Sequence, residues 1–72
     1  MSGKLPVKSG MEVMKTLSRV GFILVRVSKH YIVGKGGKII PVPYHKEVKK
    51  GTLRGIIKQA DLTIEEFLKH DP

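Results

Sequence analysis

Leu53, Ile56, Ile57 and Ala60 stand at i, i+3, i+4 and i+7, a spacing that gathers apolar side chains on one side of an α-helix and scatters them on a strand. This stripe predicts a helix whose start falls between Lys49 and Thr52. Two hydroxyl–glutamate pairs predict two more. Ser9 with Glu12, and Thr63 with Glu66, have the capping-box spacing, in which hydroxyl and carboxylate satisfy orphan amides of a first helical turn. The first pair opens a helix over Gly10–Val20, with Met11 or Val13, then Met14, Leu17 and Val20 at helical spacing and Gly21 as a left-handed stop. The second opens a short terminal helix through Ile64, Phe67 and Leu68.

The intervening chain changes character. Phe22–Ser28 is rich in β-branched and aromatic residues and reads as a strand; His30–Val33 continues as a second, after a tight connection at Ser28-Lys29. Gly34-Lys35-Gly36-Gly37 is a turn, and Lys38–Val42 a third strand. Short connections favour antiparallel pairing, and Pro41 and Pro43, which donate no ladder hydrogen bonds, belong at a sheet edge. The fold class is therefore α+β: an α-β-β-β-α order with a terminal helical turn, a three-stranded antiparallel sheet, and the two longer helices on one face. The opposite face is left open to solvent. The strands are apolar on both sides, so the register, and with it the face that carries His30, stays open. Met1–Lys8, with Pro6 and no periodicity, reads as a flexible tail ahead of a single domain over residues 9–70.

A chain of 72 residues builds a thin core, too small for a two-domain cleft or a large enclosed cofactor site. It has no cysteine, which removes disulfide scaffolds, cysteine zinc ribbons and thiol catalysis. Its longest apolar run, Phe22-Ile23-Leu24-Val25, is far short of a membrane span or signal-peptide core, so the expected setting is the cytoplasm, with no membrane partner. Fourteen Lys and Arg against six Asp and Glu give a net charge of +8, which points to a polyanionic partner, nucleic acid first. A lysine-rich surface kept for solubility is the other reading.

The basic residues cluster. Lys46, Lys49, Lys50, Arg54 and Lys58 face a single acid, Glu47, and Lys50, Arg54 and Lys58 are spaced by four, a row along one side of the predicted helix. Such a row can neutralise successive phosphates, and the free amides at the helix start near Gly51 can meet another. A solvated helix face is the alternative. No aromatic residue interleaves with this row, so backbone contact rather than base stacking is expected of it. Gly34-Lys35-Gly36-Gly37-Lys38 lacks the Ser or Thr and the following helix of a phosphate-binding loop, and is a hairpin turn. His30, His45 and His70 have no metal-ligand spacing, and neither a metal nor another cofactor is expected. A histidine could still serve a small ribonuclease. RNA carries its own nucleophile, the 2′-hydroxyl, so the protein need supply only a proton acceptor near neutral pH, which imidazole is, and positive charge for the transition state.

Phe22…Arg26…His30-Tyr31-Ile32, Val42-Pro43-Tyr44-His45, Lys50-Gly51-Thr52-Leu53-Arg54-Gly55-Ile56-Ile57-Lys58-Gln59-Ala60 and Leu62-Thr63-Ile64-Glu65-Glu66-Phe67-Leu68 together resemble the HicA-like toxins, also called the YcfA family. The similarity runs over roughly Ser9 to Leu68, and Lys50-Gly51-Thr52-Leu53-Arg54 with Gln59-Ala60 is its most specific part. The resemblance implies a double-stranded-RNA-binding-like fold. It also implies a metal-independent endoribonuclease, an mRNA interferase of a type II toxin–antitoxin system, held inactive by a HicB-like antitoxin that covers the active surface. The family's catalytic histidine falls on His30. One departure stands out: the family's usual Gly-Ser-His or Gly-Gly-His is Ser28-Lys29-His30 here, and the segment before it is one residue shorter.

The first functional reading is thus an RNase toxin, monomeric when free, with His30 as general acid/base and Arg26, Lys29, Lys46, Lys49, Lys50, Arg54 and Lys58 binding RNA. The alternatives are a non-catalytic RNA-binding module with the same basic surface, and a protein-interaction domain whose charge meets an acidic partner.

Overall fold

The computed structural model describes residues 5–71, which form α1 (Gly10–Arg19), β1 (Ile23–Val27), β2 (His30–Lys35), β3 (Lys38–Pro43), α2 (Lys50–Gln59) and α3 (Ile64–Lys69). The strands make one antiparallel sheet in the order β1-β2-β3, so proline-bearing β3 lies at an edge, as its sequence requires. The fold is the expected α+β arrangement with a three-stranded sheet.

Each helix end follows from local chemistry. The Ser9 hydroxyl accepts from the Glu12 amide at 3.1 Å while the Ser9 amide donates to the Glu12 carboxylate at 2.9 Å, the complete capping box. That amide donor is the main reason the Glu12 carboxyl is held below the usual pKa of a glutamate. Thr63 and Glu66 repeat the device at α3. At the far end of α1, Gly21 (φ +103°) donates to the Ser18 carbonyl and Phe22 to that of Leu17, which brings the buried Phe22 ring back under the helix. The same pair of bonds ends α2, from Asp61 to Lys58 and from Leu62 to Ile57, with Asp61 at φ +60° in the position that Gly21 fills in α1.

The core lies between the sheet and the helices. Tyr31 and Val33 from β2 and Ile40 and Val42 from β3 pack with Val13 and Leu17 of α1, Leu53, Ile56 and Ile57 of α2, and Phe67 of α3. Thr16 is buried with them, its hydroxyl donating to the Glu12 carbonyl at 3.0 Å. Leu5 also belongs to this core, and the Val48 amide donates to the Lys8 carbonyl at 2.8 Å. Lys8 in turn forms a half-buried ion pair with Asp71. The tail expected over Met1–Lys8 is therefore tied down from Leu5 onward, because an apolar leucine and a backbone bridge hold it; residues 1–4 lie outside the described residues.

Both longer helices point the same way. The N-terminus of α1 meets the end of β3, where the Gly10 amide donates to the His45 carbonyl at 2.8 Å. Its C-terminus lies beside β2, where the Lys35 ammonium donates to the Val20 carbonyl at 2.8 Å. The C-terminus of α2 is held at the β2–β3 turn by Lys38, which donates to the Gln59 carbonyl at 3.4 Å and pairs with Asp61. Two helix N-termini, the positive ends of the helix dipoles, therefore sit at the end of the sheet where His30 pairs with Pro43.

Candidate active site and nucleic-acid interface

His30 opens β2, and the burial of Tyr31 and Val33 on either side of Ile32 assigns the faces of the strand. Tyr31 and Val33 point to the core; His30, Ile32 and Gly34 face away from the helices. The face that the sequence left open is thus the uncovered one, and the imidazole is exposed.

A β-bulge brings Arg26 to the same place. Ile23 pairs with Gly34 and Leu24 with Val33, but Arg26 pairs with Ile32 and Val27 with Tyr31, so Val25 is one residue extra in β1. A regular strand continuing from Leu24 would direct Arg26 inward. With the bulge, Val25 and Arg26 both stand on the open face. The result is a cleft of about 270 Å³ lined by Arg26, Ser28, Lys29, His30 and Ile32. The Ser28 amide donates to the His30 carbonyl at 3.0 Å, which closes the two-residue connection and fixes the start of β2. One exposed imidazole, one guanidinium and one ammonium thus share a shallow opening with no carboxylate in its lining.

The same face is apolar beyond that cleft. Ile23, Val25 and Ile39 are 70%, 61% and 58% exposed. Gly34 lies beneath them: a Cβ there would stand 3.1 Å from Ile39 Cδ1 and 3.2 Å from Val25 Cγ2. Aliphatic side chains so exposed, and contiguous with a cationic cleft, are the pattern of a surface that is covered in a complex.

A second cleft, of about 400 Å³, opens at the same end of the sheet on the α1 side. Ser9, Met11, Tyr31, Tyr44, His45 and Lys46 line it, and the Tyr31 and Tyr44 rings stack with centroids 4.8 Å apart and planes 18° from parallel. Burial, and next the Tyr44 phenol beside it, push the Tyr31 hydroxyl above its ordinary pKa.

The remaining basic residues fall elsewhere. Lys46 rims the Tyr44 cleft, and Lys49 is the N-cap of α2, which among the described residues has no side-chain cap and no acid in its first turn. Lys50, Arg54 and Lys58 are exposed along α2 as the spacing predicts, but α2 packs on the core side of the sheet, so they line neither cleft. At 1.5 Å per residue, Lys58 is about 12 Å farther from the His30 end than Lys50. Lys50, Arg54 and Lys58 thus keep the row expected along α2, which begins beside Lys49 at the helix start and leads away from it. The two features that sequence reasoning missed are the bulge and the tyrosine pair. The only available signal for the second was the adjacency of Tyr44, His45 and Lys46.

Among the described residues no three His, Asp or Glu side chains converge as metal ligands, and no helix is long and apolar enough to cross a membrane. A three-stranded sheet with an exposed histidine, arginine and lysine on its open face defines a small basic protein with a surface suited to RNA phosphates. The family model for the HicA toxin of bacterial toxin–antitoxin systems matches residues 10–62, and the chain belongs to that family. It is accordingly a toxin of a toxin–antitoxin system, a class of proteins that are generally ribonucleases with RNA as target and an antitoxin as partner. A search of curated proteins found no significant match.

Proposed function

We propose that the chain is a metal-independent endoribonuclease, an mRNA interferase, in which His30 is the general acid/base. The observation that carries this reading is the exposed His30 imidazole in one cleft with Arg26 and Lys29. In the reaction proposed, His30 takes the proton of a ribose 2′-hydroxyl. The 2′-oxygen then bonds to the neighbouring phosphorus as the bond to the 5′-oxygen breaks, and the departing 5′-oxygen takes a proton from the His30 imidazolium or from water, leaving a 2′,3′-cyclic phosphate and a 5′-hydroxyl end. Arg26 and Lys29 stabilise the charge that builds on the non-bridging oxygens, where fixed cations contribute most. Lys46, Lys49 and Lys50, with the uncapped amides of α2, hold phosphates of the flanking strand, and Arg54 and Lys58 extend that track.

The antitoxin proposed is HicB-like and covers the open face of the sheet. Supporting this is the apolar patch of Ile23, Val25 and Ile39, which adjoins the His30 cleft closely enough for one partner to bury both. Lys29 stands where relatives of the HicA-like pattern carry glycine or serine, and its ammonium lines the cleft with His30, a position suited to a phosphate.

Bulk RNA incubated with the purified chain in EDTA is the test. Fragments bearing 2′,3′-cyclic phosphate ends, and no cleavage of fully 2′-O-methylated RNA, are the expected outcome. Cleavage of the methylated RNA, or complete dependence on an added divalent cation, would overturn the mechanism.

A further inference from the structure

Tyr44 is 56% exposed, and its ring is stacked on one side. One face lies against Tyr31, which is 6% exposed and fixed by the pairing of β2 with Val42. The approach of Gly10 to the Pro43 carbonyl and the hydrogen bond from the Gly10 amide to the His45 carbonyl hold the loop from the other side. The second ring face is left to a cleft that Met11, itself 48% exposed, lines with Tyr44, and at whose rim stand His45 and Lys46. A stacked aromatic face with an apolar floor, an imidazole and an adjacent ammonium is the combination by which proteins hold unpaired nucleotides. A base in a duplex is already stacked on its neighbours and offers such a ring nothing; only an unpaired one can use it.

The location supports the same occupant. Pro43 pairs with His30, and Tyr44 follows it just beyond the end of β3, so Tyr44 and His30 stand at the same end of the sheet. The two side chains leave the end of the sheet toward opposite faces. The Tyr44 cleft and the His30 cleft thus lie on opposite faces of the same sheet end, so a single strand that occupies both bends around that end, which a flexible unpaired strand can do and a stiff duplex cannot.

We propose that Tyr44 is a stacking platform for one unpaired base of single-stranded RNA, with His45 and Lys46 against the adjoining phosphates, so that base stacking delivers the next ribose–phosphate to His30. The proposal rests on the reading of the chain as an RNA-binding toxin and adds a substrate requirement to it: the nucleotide beside the cut is unpaired.

The test uses the full chain carrying His30→Ala, so that the probe survives, and a short single-stranded oligoribonucleotide with one 2-aminopurine. Binding should quench the 2-aminopurine. Tyr44→Ala should remove the quench and weaken binding by about 5- to 150-fold, and Tyr44→Trp should restore both. An abasic site at the probe position should weaken binding to the parent and leave binding to the Tyr44→Ala variant unchanged, a coupling that a merely structural tyrosine would not produce. Circular dichroism of the Tyr44→Ala variant checks that the exposed substitution leaves the fold intact. Equal affinity and equal quench with and without Tyr44, together with steep salt dependence, would overturn the platform and leave RNA binding by phosphate contacts standing. An equal loss of affinity for a duplex of the same sequence would overturn the requirement for an unpaired base. No binding to any RNA at low salt would overturn the platform and the RNA reading together.

Discussion

Gly10 and Arg26 show how single residues set the site. An ideal Cβ at Gly10 would stand 1.9 Å from the Pro43 carbonyl oxygen, which is backbone and has no room to yield. Gly10→Ala must separate α1 from the loop that carries Tyr44 and His45, and is expected to cost about 2 kcal/mol or more, as overpacking of a well-packed site does. A thermal melt checks this; a melting temperature unchanged from the parent would mean that the loop moves freely. Arg26 is expected to act differently. It is exposed and its alanine variant should melt like the parent, yet lose roughly 10- to 100-fold in kcat/KM on RNA, the range for a charged hydrogen bond to the reacting phosphate. Arg26→Lys should recover only part, because an ammonium lacks the forked geometry of the guanidinium. Little of this was legible in the sequence. The tight contact at Gly10 depends on a loop more than thirty residues away. Arg26 reaches the open face only through the extra residue Val25, and Ile23-Leu24-Val25 is equally apolar in either register.

Among the elements, the helices were the most legible because their signals are local. Both capping boxes formed as their spacing required, and the stripe from Leu53 to Ala60 lies in the core. The capping box of α1 also has a pH signature. The Glu12 carboxyl, held below its ordinary pKa chiefly by the Ser9 amide, adds stability above the ordinary glutamate value and loses it as the pH falls through the depressed one. Unfolding followed from neutral to acid pH should therefore decline less steeply in Glu12→Gln than in the parent, while Ser9→Ala should cost about 1 kcal/mol. Identical acid limbs for the parent and Glu12→Gln would show that the carboxylate contributes nothing. The strands were located correctly, but not the face each residue occupies, because Tyr31, Ile32 and Val33 are all apolar and alternation carries no information there. Tertiary packing of α1 and α2 against Tyr31, Val33, Ile40 and Val42 decides it.

At the scale of the molecule, charge and apolar surface are divided between two tasks. The helices cover one face of the sheet and direct their positive ends to the His30 end. The other face stays bare, with Ile23, Val25 and Ile39 beside the cationic cleft. Ile39→Lys should leave stability within about 0.5 kcal/mol, as exposed substitutions do, and spare RNA cleavage, while weakening capture by the antitoxin. Isothermal titration with the antitoxin reads the affinity directly, and an unchanged value would place the antitoxin elsewhere. The division was only half legible: net charge pointed to a polyanion and an open sheet face was expected, but which residues stand on that face depends on the register, and the bulge at Val25 sets it. The most direct single measurement is the single-turnover cleavage rate, in EDTA, of one RNA by the chain and by its His30→Ala variant, at saturating protein. The expected result is a rate about 100- to 10,000-fold lower for the variant with RNA affinity unchanged, the usual contribution of a general acid/base; equal rates for the two proteins would contradict the assignment of His30.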